Sequence, residues 1–545
     1  MGSSTESDAT FYDSFVYETI PRNGNGNILT PNDPSSTTTN DDGITIEADI
    51  NMTMAWTQFL YQSDVVVKIH RLDGFQANAS SVSIRPTTLQ YTTTPSGGDI
   101  YITVPYSAEG TRFSVEFEDR LYEFHDSCAT SECGFVQNRD PSGCSYVEKF
   151  TAENPIMGIE PLDSLLIFAS AWPSADMIPN ANASTSHVVK PGLVSGLDQI
   201  DAITVIFNPG VYYFTGTAHA NLSSSVNWVY LAPGAYVKGA VEFKTVSPEI
   251  KATGYGVLSG EQYVYQANQS EGYANVESNE DSLRMWRGIS ANGVNQTIYL
   301  NGVTVNAPPF NSMDFFGDVN TLSVQAWDYK QVGAFFGQTD GLEIYPGSSI
   351  HDVFYHSNDD TIKTYYSDVD VQRITVWKGT TAPVIQFGWA SRSLSNITVN
   401  DVDLIHSRWN SNGSNPGLIG GDQAYTADED DDTNTADCTN TIQDVTFSNL
   451  RGEGLTGNLF RIRPLSNLAN FKIQNVYLEE PVIASSGIPF SYLPVFTDSS
   501  GTAVKVTNLT IDEFYVGDAK VDTAGAESVG YLVIAEEYLD AVTIA

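Results

Sequence analysis

Two short segments carry carboxylates at a spacing suited to acid–base chemistry: Gly337-Gln-Thr-Asp340-Gly-Leu-Glu-Ile-Tyr345 and His356-Ser-Asn-Asp359-Asp360-Thr-Ile-Lys363. Asp340 and Asp359 are 19 residues apart. A chain that returns on itself at about that interval brings the three carboxyl groups onto one surface. Carboxylates held so close repel, so at least one keeps its proton in mildly acidic water. Cleavage of a glycosidic bond needs such a set. A protonated acid gives its proton to the leaving oxygen, and an ionised carboxylate activates water or attacks carbon. Asp is also a common turn former, and a lone Asp in this Asn- and Asp-rich chain reads as a turn. Three of them one repeat apart, beside His356 and Lys363, read as a site. Clustered carboxylates also bind calcium, but the segment lacks the every-second-residue spacing of calcium loops. No metal and no cofactor are expected.

Sugar rings present apolar faces that stack on aromatic rings, and polar edges that want hydrogen bonds. Candidate substrate contacts are Tyr345, Tyr365 and Trp389, the last in Gln386-Phe-Gly-Trp389, together with Asp314 and Lys330 one or two repeats earlier. Glu343 and Asn358 lie inside the two carboxylate segments and join them. Lys363, three residues past Asp360, can hold a neighbouring carboxylate ionised. The acidic run 428–432 reads as a solvated insertion. Gly254 to Gly260 has three residues, not two, before its last glycine and so is no dinucleotide loop.

The elements that must position these groups are strands. Helical periodicity is nearly absent, and short β-rich runs are broken by Gly, Asn, Asp and Ser. Up to about residue 170 the runs alternate, as in Val65-Val-Val-Lys-Ile-His70 and Phe113-Ser-Val-Glu-Phe117, which suits an antiparallel sandwich. A Pro/Asn/Ser-rich connector follows from Trp172 to Asn182. Beyond it, apolar triplets recur at Ile298 and Leu322, 24 residues apart, and at Val353, Ile374, Ile397, Val445 and Phe471, in steps of 21, 23, twice 24 and 26. That is the grammar of a parallel β-helix. The expected domains are a β-sandwich with connector over 1–185 and a β-helix over 186–545.

The chain has 545 residues, 66 acidic and 26 basic, for a net charge of −40. Such a surface repels phosphate backbones and anionic lipid, so neither nucleic acid nor membrane is an expected partner. A neutral polysaccharide meets no repulsion. No stretch is long and apolar enough to span a bilayer. Met1 to Glu6 lacks the apolar core of a signal peptide and reads as a leader ahead of a mature sequence. Asn-x-Ser/Thr acceptors at nine positions, with low lysine, favour a secreted, extracellular glycoprotein. Cys128, Cys133 and Cys144 are close together and Cys438 is alone, which allows one local disulfide and fits no zinc module. A monomer is expected.

Phe11-Tyr-Asp-Ser-Phe-Val-Tyr, Trp228-Val-Tyr-Leu-Ala-Pro-Gly-Ala-Tyr-Val-Lys-Gly, Ala307-Pro-Pro-Phe-Asn-Ser-Met-Asp314, Asp328-Tyr-Lys-Gln-Val-Gly-Ala-Phe and the stretch from Gln338 to Lys363 resemble glycoside hydrolase family 49. That family contains dextranases and isopullulanases. The resemblance implies an all-β fold, an N-terminal β-sandwich followed by a right-handed parallel β-helix, and an inverting mechanism. It makes Asp359 the general acid, with Asp340 and Asp360 jointly activating the water. Inversion implies an acid-to-base gap of about 6.5–9.5 Å. The Trp-Trp-His segment common near the start of family members is not seen. Asn358-Asp359-Asp360 and Pro21-Arg-Asn-Gly-Asn-Gly resemble the dextranase version, whereas Leu300-Asn-Gly-Val-Thr-Val and Met285-Trp-Arg-Gly are closer to isopullulanase. The expected substrate is a neutral α-glucan, cut endo at α-1,6 linkages of dextran, with α-1,4 cleavage of pullulan as the alternative. A pectin hydrolase and a non-catalytic carbohydrate-binding β-helix are the remaining readings.

Overall fold

The computed structural model describes residues 14–19, 38–39, 45–46, 53–76, 78, 81–125, 135–137, 156–161, 163–215, 219–263, 267–268, 274–275, 283–335, 338–379, 382–388, 390–408, 417–421, 436–456, 459–481, 491–524 and 532–545. Trp389, Cys128, Cys133, Cys144, the run 428–432, the acceptor asparagines Asn51 and Asn412, residues 11–13 and the Pro21 segment lie outside them. Cys438 is a free thiol.

The chain is all-β: a β-sandwich followed by a parallel β-helix. In the sandwich, Thr53–Tyr61 runs antiparallel to Tyr17–Thr19 and parallel to Asp163–Ala171, which continues the sheet through Thr111–Phe117 to Val82–Arg85. A second sheet joins Val65–His70, Asp99–Val104 and Thr92–Ser96. Alternate residues of both sheets, among them Ile100, Ile102, Val104, Phe113 and Val115, form a shared core.

The β-helix begins with Ser186–Val189. One long sheet of its coils ends at Val542–Ile544 and is parallel throughout, apart from the hairpin of Val506–Val516 with Ala519–Lys520. A second face is built from two sheets of short strands. The first holds Ala220–Asn221, Val241–Phe243, Trp286–Ile289 and Met313–Phe316; the second starts with Ile362–Lys363 and Ile385–Gln386. Val353 pairs with Ile374, Ile397 with Val445 and Val445 with Phe471, as the repeating triplets suggest. Two steps differ: Ile298 stands opposite Val324, and Ile374 opposite Val402. Ile298 is two residues out of register on a short strand, where Gln296 is the residue opposite Leu322. From Ser349–Ser357 onward each long strand carries two apolar runs separated by a left-handed residue, so Ile374 is matched to the wrong run. Asp352, Arg373, Asp401, Asn449, Asn475 and Glu513, all at positive φ, are those bends.

A second column of left-handed residues, Asp368, Asn396, Asp444, Asn470 and Asn508, turns successive coils. Asn and Asp tolerate that conformation because their short polar side chains bond locally. Here they also bond between coils: the Nδ2 atoms of Asn396, Asn470 and Asn508 donate to Asp368, Asp444 and Asn470 at 2.8, 2.9 and 3.0 Å.

The sandwich covers one flank of the β-helix. Met54, Trp56, Leu166 and Phe168 pack on Val332, Phe335, Phe354, Trp377 and Ile405. Around this apolar patch run buried ion pairs. Arg112 reaches Asp328 at 3.3 Å and Asp352 at 3.2 Å. His406 meets Glu116 at 2.6 Å, and Arg408 meets Glu160 at 2.5 Å. Burial opposes the Asp352 charge, but Arg373, His351 and Arg112 outweigh it and hold the carboxyl down to about 2. Its contribution to stability is present above about pH 3.9 and is lost as pH falls toward 2. Removing one partner of a buried pair leaves a stranded charge, so Arg112→Ala should lose about 3–5 kcal/mol. Denaturant midpoints at neutral pH, compared with wild type, measure that loss.

Candidate functional site

Backbone hydrogen bonds stack the two carboxylate segments directly. Asn358 N donates to Thr339 O at 3.2 Å, and Gly341 N to Asp360 O at 3.0 Å. Gly341 is required there: a Cβ would fall 2.0 Å from Thr361 O. Asp340, Asp359 and Asp360 therefore occupy adjacent coils in the turns that lead into the second face.

That face has clean in–out parity. Met313, Phe315, Leu342, Ile344, Ile362 and Ile385 point into the core. The residues between them, Asp314, Glu343, Lys363 and Gln386, form an outward column. Lys363 is only 2% exposed, and its Nζ lies 2.6 Å from Asp340 Oδ2 and also pairs with Glu343. Burial would push this ammonium down, but Asp340 and Glu343 outweigh it and hold it well above the usual lysine value. Asp360 is 4% exposed and accepts the Tyr365 hydroxyl at 2.5 Å. Arg392 backs Tyr365, donating to its carbonyl at 3.1 Å and lying 5.2 Å from its ring.

Asp359 is the proton holder of the three. Burial, then the neighbouring Asp340 and Asp360, push its carboxyl well above the ordinary aspartate value. Lys378 and the Asp360 backbone N–H, which donates to Oδ1 at 2.8 Å, oppose this without reversing it. Glu343 and Asp314 are also raised, first by burial, with Lys363 opposing both. Asp314 is paired with Arg284 at 3.2 Å. The arrangement offers one protonated acid beside two carboxylates held by a cation and a phenol. Among the described residues no group of His, Cys, Asp and Glu is arranged to hold a metal ion.

Of the expected site residues, Asp314, Asp340, Glu343, Asp359, Asp360, Lys363 and Tyr365 come together. Three do not belong at a sugar-binding surface. Tyr345 is buried in the core, its hydroxyl bonded to Phe315 N and O at 2.7 and 2.9 Å, so neither ring face can meet a sugar. Lys330 is on the other face, against the sandwich. It is buried there with Asp328 at 3.3 Å, and burial pushes its amine down to about 8. Asn358 is buried beneath the carboxylates, its Oδ1 against Gly379, and shapes the turn rather than the groove. The sequence reading missed Arg284, Lys378, Gln386 and Arg392. A signal for two of them was present: a single polar residue between apolar ones packed on the core, as in Leu283-Arg-Met and Ile385-Gln-Phe.

A carboxyl raised in the folded state favours folding fully below its unfolded value, and that contribution is lost as pH rises through the folded value. Asn cannot ionise, so Asp359→Asn should equal wild type in stability at about pH 3.9 and below. Toward alkaline pH it should exceed wild type by roughly 1–2 kcal/mol. Melting curves of both proteins across pH measure the crossover.

Family models described as Glycosyl hydrolase family 49 N-terminal Ig-like domain and Glycosyl hydrolase family 49 match residues 2–172 and 431–545. Models described as Isopullulanase beta-solenoid repeat and Beta solenoid repeat from Dextranase match 377–409 and 309–341. The isopullulanase of Aspergillus niger is 44% identical over 96% of this chain and 86% of its own length. The dextranase of Talaromyces minioluteus is 42% identical over 97% of this chain and 85% of its own. Dex49A from Penicillium minioluteum superposes with a TM-score of 0.85 at 39% identity, covering 99% of this chain and 93% of that one. The chain therefore belongs to glycoside hydrolase family 49 and is a glycoside hydrolase.

Proposed function

We propose that this enzyme is a secreted, monomeric, inverting hydrolase that cleaves α-1,6 linkages within dextran. The observation that carries the reading is the division of labour among three neighbouring carboxyls. Asp359 is pushed up and keeps its proton, while Asp340 lies 2.6 Å from a buried ammonium. Asp359 gives its proton to the glycosidic oxygen as the C–O bond breaks. Asp340 and Asp360 orient a water on the opposite face of the ring and take its proton as its oxygen bonds the anomeric carbon. One proton is given, one is taken, and the configuration inverts without a covalent intermediate. Lys363 and Tyr365 hold the two bases in place.

Support for dextran comes from the relatives named dextranase. The 44% identity to an isopullulanase favours a second reading, α-1,4 cleavage of pullulan to isopanose. Secretion is supported by the acidic surface and the nine acceptor sequons, and by the size of the substrate, a polymer that does not enter cells.

Incubation with dextran and pullulan side by side, with products resolved, tests the reading. Isomaltose-type products from dextran are expected, released as the β-anomer in the first minutes by NMR. Isopanose from pullulan alone would replace the first reading with the second. Cleavage of polygalacturonate and of neither glucan would overturn both. Asp359→Asn should lose roughly 10²–10⁴-fold in turnover while still binding polymer. Lys363→Met should lower kcat by about 10² with KM little changed, because the cation acts on the base and not on the sugar. Activity should fall on the alkaline side as Asp359 loses its proton.

A further inference from the structure

The outward column continues beyond the carboxylates. Register carries it from Asp314 back to Arg287 and then Glu242 on successive coils. Arg287 stands out in a chain with 66 acidic side chains, because among the described residues it has neither an ion pair nor a hydrogen bond. Its Nε is shielded from water and unbonded. Its guanidinium lies 5.0 Å from the Phe316 ring, and the next outward residue on its strand, Ile289, is 51% exposed beside Phe316 in register. The neighbouring arginine, Arg284, is by contrast committed to Asp314 at 3.2 Å.

A guanidinium presents five donors in a flat fork and accepts nothing. Leaving the shielded Nε donor unmet is costly unless an acceptor arrives. The acceptor that suits a fork between an apolar wall and two carboxylates is a pair of adjacent hydroxyl oxygens on a neutral sugar. An anionic ligand would be opposed by Asp314 and Glu242 on the adjoining coils. Strands repeat at about 4.8 Å. Arg287 therefore lies one coil before Asp314, within one oligosaccharide of the reacting bond.

We infer that Arg287 is a substrate-binding residue of the groove, its fork holding two vicinal hydroxyls of a glucosyl unit remote from the bond being cut. The inference rests on the proposed action on a glucan and adds a position at which chain length is read. Hydrogen bonds of this kind are made equally in the ground and transition states, so their loss raises KM and spares kcat.

Arg287→Ala and Arg287→Lys are assayed against wild type on whichever of dextran and pullulan is turned over, as polymer and as the shortest cleaved oligosaccharide. For the polymer, Arg287→Ala should raise KM about tenfold or more with kcat within about threefold. The effect should shrink on the short substrate. Arg287→Lys should not restore KM, since a point charge cannot span two hydroxyls. The melting temperature should stay within a few degrees of wild type, because Arg287 makes no ion pair or hydrogen bond among the described residues. An unchanged polymer KM, a kcat loss equal on long and short substrates, or a large drop in melting temperature would each overturn the inference. Failure of wild type on both glucans would instead remove the functional reading beneath it.

Discussion

The spacing between coils is set by backbone hydrogen bonds, and side chains have no say in it. Once Asn358 N bonds Thr339 O and Gly341 N bonds Asp360 O, three carboxyl groups must share a small volume. The main chain will not widen to relieve them, so the repulsion is absorbed by the side chains in three ways. Asp359 keeps its proton, Asp340 takes the Lys363 ammonium, and Asp360 takes the Tyr365 hydroxyl. The rest of the groove follows. Glu343 is drawn in to share Lys363, Arg284 answers Asp314, and Lys378 stands near Asp359 from the next coil.

The same stiffness explains the sandwich. Bends of the β-helix need left-handed residues, and Asp328 and Asp352 supply two of them on the flank it covers. Burying those carboxylates without partners would be prohibitive. The sandwich brings Arg112 to both, and it offers Glu116 and Glu160 to His406 and Arg408 of the β-helix. Among the described residues, Arg85, Arg112, Lys330 and Arg408 serve this junction, and Arg284 and Lys363 serve the groove.

Much of the architecture was legible because a coil repeat is a long-range signal written many times over. The stacking of Asp340 with Asp359 and Asp360 could be read from a 19-residue step. What could not be read was which way a side chain points where the chain leaves the regular strand. Tyr345 has the parity of Glu343 and should face outward by counting, but the turn at Pro346 and Gly347 follows and the ring swings into the core. Asn358 adjoins Asp359 yet points beneath it, against a glycine with no Cβ. Lys330 failed for a different reason. Spacing alone does not say which face of a coil a residue occupies, and its strand Lys330–Val332 belongs to the long sheet under the sandwich.

Under the proposed function, chemistry and recognition fall to different parts of each coil. The carboxylates sit in turns locked by backbone bonds and by glycines that admit no Cβ, so they tolerate little change. The groove floor is made of strand residues with apolar neighbours on either side: Asp314 between Met313 and Phe315, Arg287 between Trp286 and Gly288, Lys363 beside Ile362. Replacing an outward residue alters what the groove presents while the inward neighbours go on filling the core. Relatives named isopullulanase and dextranase are 44% and 42% identical to this chain. Under the proposed function the outward column seats the sugar over the carboxylates, so a change in the linkage cut is expected from that column before the carboxylates themselves.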